Sequence, residues 1–272
     1  MATNNFGNNI GIPKTTFVSG GDLIVATGSS TYSNVSAPYL GHCLICDSSS
    51  SSGVNHTVPS DAVAYVAGGV TSSMLLNTID RFMGEVVSLV STTLSVSKYI
   101  FTGIALGRSS YFAGGVNGTV YNQVERFFNE SISLLSATLS VARYGLMSAS
   151  ILSSAYFAGG YNGASYFNLI ERLTSAESSS SISATLSQSK YYGGGISILS
   201  SAYFAGGFNG ANNYRTIDRL SSSEVRTAIS ATLSASKRQF ATGSVFGSAY
   251  FAGGYISVAL NSIDRLTSSE VR

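Results

Sequence analysis

A pentapeptide returns along the chain at a nearly constant interval, and that interval constrains the fold more than any other feature. Tyr-Phe-Ala-Gly-Gly stands at 111–115, 156–160, 203–207 and 250–254; Tyr65-Val66-Ala67-Gly68-Gly69 is a close variant and Phe17-Val18-Ser19-Gly20-Gly21 a looser one. The first glycines fall at 20, 68, 114, 159, 206 and 253, so the spacing stays between 45 and 48 residues across a chain of 272. Self-similarity at a fixed period of this size marks a repeat architecture, in which each unit buries its apolar surface against its neighbours.

One unit reads as four short strands. Tyr144 to Leu152 runs into a small polar turn at Ser153-Ser154, and Ala155 to Gly160 follows as a second strand, apolar on both faces. Asn162-Gly163 supplies a turn, since both residues tolerate positive φ. A third strand carries Phe167, Leu169 and Ile170 and ends at Glu171-Arg172, and Ile182 to Leu186 alternates as a fourth. Helix is disfavoured by the β-branched and aromatic content and by the regular glycine pairs.

Four strands per unit of this length predict an all-β fold, a β-propeller, rather than a β-solenoid with its shorter coils. Six doublets predict a six-bladed propeller of four-stranded antiparallel blades. It fills residues 1–272 as one domain, with approximate blades at 1–52, 53–97, 98–142, 143–189, 190–236 and 237–272. The first unit, diverged between Asp22 and Gly53, lacks the acid–arginine pair of the others. The sixth stops at Arg272 where the fifth continues Thr227 to Leu233, so the last blade is expected to lack its own outer strand. An unpaired edge calls for cover, by the N-terminal segment or by another chain.

The repeated residues resemble the kelch repeat. After each doublet and turn comes an apolar–acidic–arginine segment: Ile79-Asp80-Arg81, Val124-Glu125-Arg126, Ile170-Glu171-Arg172, Ile217-Asp218-Arg219 and Ile263-Asp264-Arg265. Leu-Ser-x-(Ala/Ser)-(Lys/Arg) follows, as in Leu139-Ser140-Val141-Ala142-Arg143. The order is similar to the kelch order of glycine doublet, acidic–aromatic segment, tryptophan and arginine. The blade tryptophan is missing, and Ile132, Ile182 or Ile229 stands in its place. The resemblance implies a propeller used for binding. Copper oxidases built on kelch-like propellers need a tyrosine–cysteine and histidine cluster that this chain does not supply.

Composition narrows the function further. Hydrophobic content of 44% with 11% aromatics supports a core despite 51 serines. Charged residues are 10%, against roughly 25% in average soluble proteins. A net charge of +2 gives no global field to mark a nucleic-acid partner or an anionic membrane. No apolar run reaches the roughly 18 residues of a spanning helix. Met1 to Gly7 has neither the basic nor the apolar region of a secretory leader, so none is expected.

Catalytic and metal chemistry find little support. Gly-Gly after a strand with no helix behind it is not a phosphate loop. His42, Cys43, Cys46 and His56 would just suffice for zinc, but their spacing matches no standard finger, and buried thiols are the plainer reading. The carboxylates fall at one equivalent position per unit, as a structural role requires. Neighbours on a strand face opposite ways, so Glu171 and Arg172 are expected to find other partners, the arginine in an adjacent strand or blade and the acid in turn N–H groups. No cofactor or metal is expected.

The remaining candidates follow the doublets: Asn117 with Tyr121, Asn162 with Tyr166, and Asn209 with Tyr214. Equivalent positions in successive units share one face, and tyrosine with asparagine suits sugar and protein contacts. The sequence therefore predicts a non-catalytic structural or binding propeller. Its charge-poor Ser/Asn/Gly/Tyr surface points to a virion (a phage tail or fibre) or an extracellular particle, where it mediates protein–protein or receptor attachment. Its expected partners are other protein chains of the assembly and cell-surface glycan. A cytoplasmic kelch-like adaptor and a carbohydrate-binding propeller are the alternatives.

Overall fold

The sheets are built from hairpins in chain order, and a computed structural model describes them for residues 23–26, 32–35, 43–47, 63–83 and 86–272. β1 (Leu23–Ala26) and β2 (Tyr32–Val35) pair with each other in a two-stranded sheet. Blade one comprises β3 (Cys43–Asp47), β4 (Val63–Val70), β5 (Leu75–Met83) and β6 (Val86–Leu89). Blade two comprises β7 (Thr102–Leu106), β8 (Ser109–Ala113), β9 (Gln123–Phe128) and β10 (Ser131–Thr138). Blade three comprises β11 (Met147–Ile151), β12 (Ser154–Ala158), β13 (Leu169–Thr174) and β14 (Ser179–Thr185). Blade four comprises β15 (Gly194–Ile198), β16 (Ser201–Ala205), β17 (Ile217–Ser221) and β18 (Arg226–Ala228). Blade five has three strands, β19 (Ala241–Val245), β20 (Ser248–Ala252) and β21 (Ile263–Thr267). All pairings are antiparallel, and the fold is a β-propeller.

The expected six blades are corrected to five. Cys43–Asp47, inside the first sequence unit, pairs with Val63–Ala67 and so forms the inner strand of the sheet that follows. What the unit otherwise shows is the short β1–β2 ladder. A doublet marks only the centre of a hairpin, whereas a blade is a complete sheet, so counting doublets overcounted the blades. Gly20-Gly21 lies outside the described residues, as do His42 and His56, while Cys43 and Cys46 are described only as backbone of β3.

The apolar cores lie between blades. Neighbouring blades pack through their innermost strands, β3 on β7, β7 on β11, β11 on β15 and β15 on β19. In the pentapeptide, alternation sends Tyr and Ala to one flank and Phe to the other. Tyr156, Ala158 and Ile170 of blade three thus meet Ala202, Phe204 and Leu220 of blade four. The same arrangement joins Tyr203, Ala205 and Ile217 to Ala249, Phe251 and Leu266. Ile132, Ile182 and Ile229 pack half-buried against apolar clusters of this kind. Fully burying one such phenylalanine contributes about 1.5–3 kcal/mol.

The doublet brings two blades into backbone contact. Gly206 takes φ 59°, and a Cβ there would lie 2.7 Å from the carbonyl oxygen of Lys237 in the next blade. Only glycine fits. The second glycine donates to that same carbonyl, Gly207 N to Lys237 O at 2.9 Å, and Gly160 N to Lys190 O at 2.9 Å repeats the bond one blade earlier.

Candidate functional site

The recurring acids and cations form two layers with different environments. In the inner layer, the last residue of Leu-Ser-x-x-(Lys/Arg) reaches the acid on the third strand of the blade it introduces. The pairs are Lys98–Glu125 at 2.5 Å, Lys190–Asp218 at 3.1 Å, Lys237–Asp264 at 3.0 Å, and Arg143–Glu171. All eight side chains are buried. Each acid also accepts a backbone N–H from the preceding serine: Ser95 to Glu125, Ser140 to Glu171, Ser187 to Asp218 and Ser234 to Asp264. Burial lowers the pKa of Arg143 and Lys190, against the pull of Glu171 and Asp218. Burial opposes ionisation of Asp264 too, but hydrogen bonds from Lys237 and Ser234 prevail and hold it below its ordinary value. Asp80 takes the same strand position in blade one and is half-buried. These carboxylates are committed to holding the entry loop on its own sheet.

In the outer layer, the arginine beside each acid crosses to the next blade. Arg81 reaches Glu130 at 2.5 Å, Arg126 reaches Glu177 at 3.2 Å, Arg172 reaches Glu224 at 2.9 Å, and Arg219 reaches Glu270 at 3.2 Å. The receiving glutamates all sit in tight turns with φ between 55° and 60°. The pentapeptide tyrosine joins the same carboxylate: Tyr111 donates to Glu177, Tyr156 to Glu224 and Tyr203 to Glu270. Burial and the adjoining Glu224 push the Tyr156 phenol up to about 12. Among the described residues, the Arg265 side chain bonds within its own blade, from Nε to Ser248 Oγ at 3.2 Å.

The opposite end of the blades, beside the doublets, carries an aromatic rim. The residue after each cation bridges the residue after a doublet: Tyr99 with Val116, Tyr144 with Tyr161, Tyr191 with Phe208, and Arg238 with Tyr255, so that the rim is aromatic from blade three onward. Because successive blades repeat this bridge, the rings meet across the junction of blades three and four. Tyr161 stacks on Tyr166 at 4.5 Å and 19°, and Tyr191 lies 5.4 Å from both. Tyr144 meets Tyr161 edge-on at 5.6 Å. Gly210 lets the Tyr166 ring lie against its turn, where a Cβ would be 2.9 Å from Cζ. Arg238 continues the rim as a cation between Phe208, 4.1 Å away, and Tyr255, 5.1 Å away. Burial raises the pKa of Tyr144 and Tyr191, and neighbouring phenols add to it. Tyr144, Tyr161, Tyr166, Tyr191 and Phe208 are half-buried, and Tyr255 is exposed.

The sequence candidates lie at this same end but divide by role. Asn162 Oδ1 accepts from Ala164 and Ser165 N, and Asn209 Oδ1 accepts from Ala211 and Asn212 N, so both close their own turns. Asn117 accepts from Tyr121 OH at 2.9 Å and donates to Ser97 O. Tyr166 enters the ring cluster; Tyr121 and Tyr214 are half-buried. Sequence reasoning missed Tyr144, Tyr161, Tyr191 and Arg238. The signal was present, an aromatic or cationic residue directly after the Lys/Arg and another directly after the doublet.

Fold and rim together define a β-propeller with one aromatic end, an architecture suited to binding or to structural roles. Comparison with protein-family models and with curated proteins returns no match.

Proposed function

We propose that the chain is a non-catalytic binding propeller whose aromatic rim takes the sugar rings of a glycan. The observation that carries this reading is the stack of Tyr161 on Tyr166 with Tyr191 and Tyr144 alongside. Clustered, half-buried phenol rings offer apolar contact and hydroxyl hydrogen bonds to a sugar ring, which has C–H patches and a polar perimeter. The non-catalytic part rests on the repeated acids, which are held in ion pairs. The order of doublet, acid–arginine and Leu-Ser-x-x-cation supports kelch-like membership. The charge-poor surface favours placement on a virion or extracellular particle, where the rim serves attachment.

A glycan array followed by calorimetry on the retained sugars tests the reading. Tyr191→Ala is expected to weaken binding by about tenfold, the equivalent of one aromatic contact, while far-UV circular dichroism shows the chain still folded at the assay temperature. Retention of no glycan, or binding untouched by Tyr161→Ala and Tyr191→Ala, sinks it. The second reading is a protein partner on the same tyrosines, which are common at interfaces, and it predicts capture that the same substitutions abolish.

A further inference from the structure

Each junction between blades joins a donor flank to a receiving flank. The donor flank offers the pentapeptide tyrosine and alanine, the β-branched residue of the third strand, and the arginine after the acid. In blades one to four that β-branched residue is Ile79, Val124, Ile170 or Ile217, exposed by 0%, 1%, 0% and 2%. Blade five carries the same parts in Tyr250, Ala252, Ile263 and Arg265. Here Ile263 is 38% exposed, Arg265 is exposed, and among the described residues no carboxylate meets it. Gly253 agrees: the nearest atom to a Cβ there is Leu260 O at 3.4 Å, within its own blade.

The receiving flank offers the pentapeptide phenylalanine and the apolar residue after the arginine. Phe112, Phe157, Phe204 and Phe251 are exposed by 0%, 1%, 0% and 0%, and Phe127, Leu173, Leu220 and Leu266 by 3%, 0%, 0% and 1%. The blade-one counterparts, Val66 and Phe82, are only half-buried. The described blades thus carry an open donor flank at one end and an incompletely covered receiving flank at the other.

We infer that the blade-five flank docks the blade-one flank of a second copy of this chain, continuing the blade-to-blade packing from one molecule into the next. The two surfaces are complementary but not identical, so the contact is head-to-tail and joins copies into a ring or a filament. Burial of Ile263 and Tyr250 drives it.

Sedimentation velocity over a concentration series tests the inference, with far-UV circular dichroism and melting as controls on folding. Wild type is expected to associate beyond the monomer. Ile263→Lys with Arg265→Glu removes the donor flank and Phe82→Lys the receiving flank, so each variant alone is expected to stay monomeric. Mixed, they retain one intact flank each and form a one-to-one dimer and nothing larger. If Phe82→Lys does not fold, the blade-five variant decides alone, because its positions are exposed. Wild type that stays monomeric at every concentration overturns the inference, as does association unchanged by the blade-five substitutions.

Discussion

The Lys190 ammonium lies 3.1 Å from the Asp218 carboxylate with both side chains at zero exposure, inside a chain that is only 10% charged. Removing two ions from water is costly, and the pair is tolerable because further bonds satisfy it: Ser187 N and Oγ donate to the same carboxylate. Lys190→Met leaves that buried carboxylate with only the more distant, partly exposed Arg226 at 3.7 Å to balance it among the described residues, and is expected to cost about 3 kcal/mol in chemical denaturation. Adding Asp218→Leu should recover most of the loss. Additive losses in the double variant would mean that the two residues do not act as a pair.

The outer ion pairs are expected to behave otherwise. The side chains of Arg172 and Glu224 are 36% and 25% exposed, so solvent and salt screen them. Arg172→Ala should cost no more than about 1 kcal/mol, and less at high salt. A loss as large as that of Lys190→Met would show that the junctions are held mainly by their surface charges.

The glycine doublets allow a comparison within one molecule. Gly206 and Gly253 both take the left-handed conformation, with φ 59° and 70°. Alanine at Gly253 is expected to cost about 1–2 kcal/mol, for the conformation alone. Alanine at Gly206 also meets the Lys237 carbonyl of the next blade and should cost clearly more. Equal melting shifts would mean that the doublets serve turns rather than the approach of blades.

Much of this fold was legible because blade units repeat their apolar pattern as well as their turns. β12 and β13 sit where the Ala155–Gly160 and Phe167–Arg172 readings placed strands, since β propensity and burial agree there. The blade count was not legible. Strand pairing is a long-range choice, and nothing local in Cys43–Asp47 shows that it joins Val63–Ala67 across an intervening stretch. The rim was half legible: Tyr166 stood out beside its Asn-Gly turn, but its partners Tyr161 and Tyr191 come from a doublet and from the next blade's entry.

Leu199 stands at the tip of the β15–β16 hairpin with φ 53° and 79% exposure. It adds nothing to a core and occupies a conformation that costs a branched residue about 1–2 kcal/mol. Leu199→Gly removes that strain against an unfolded-state cost of roughly 0.5–1 kcal/mol. The expected result is unchanged or slightly raised stability. A drop of several degrees in melting temperature would reveal an apolar contact at the tip.

Stability should decline at both ends of the pH scale, for opposite reasons. Asp264 is held below its ordinary value of 3.8, so the folded state favours its ionised form. Its contribution is complete above that value and is lost as pH falls through the lower folded-state value. Tyr156 is shifted the other way, from 10.0 to about 12, so the fold favours the neutral phenol. Its contribution is complete below about pH 10 and disappears as pH rises through about 12. Glu224→Gln removes a carboxylate that raises the phenol, leaving burial as the main cause. The alkaline decline should then be shallower and level off at lower pH, its onset at the ordinary value of 10.0 unchanged, while the acid arm, set by Asp264, stays in place. Spectrophotometric titration of the tyrosines checks the alkaline arm and the melting profile both, and an alkaline decline of unchanged depth in Glu224→Gln would rule out the Tyr156–Glu224 contact as its cause.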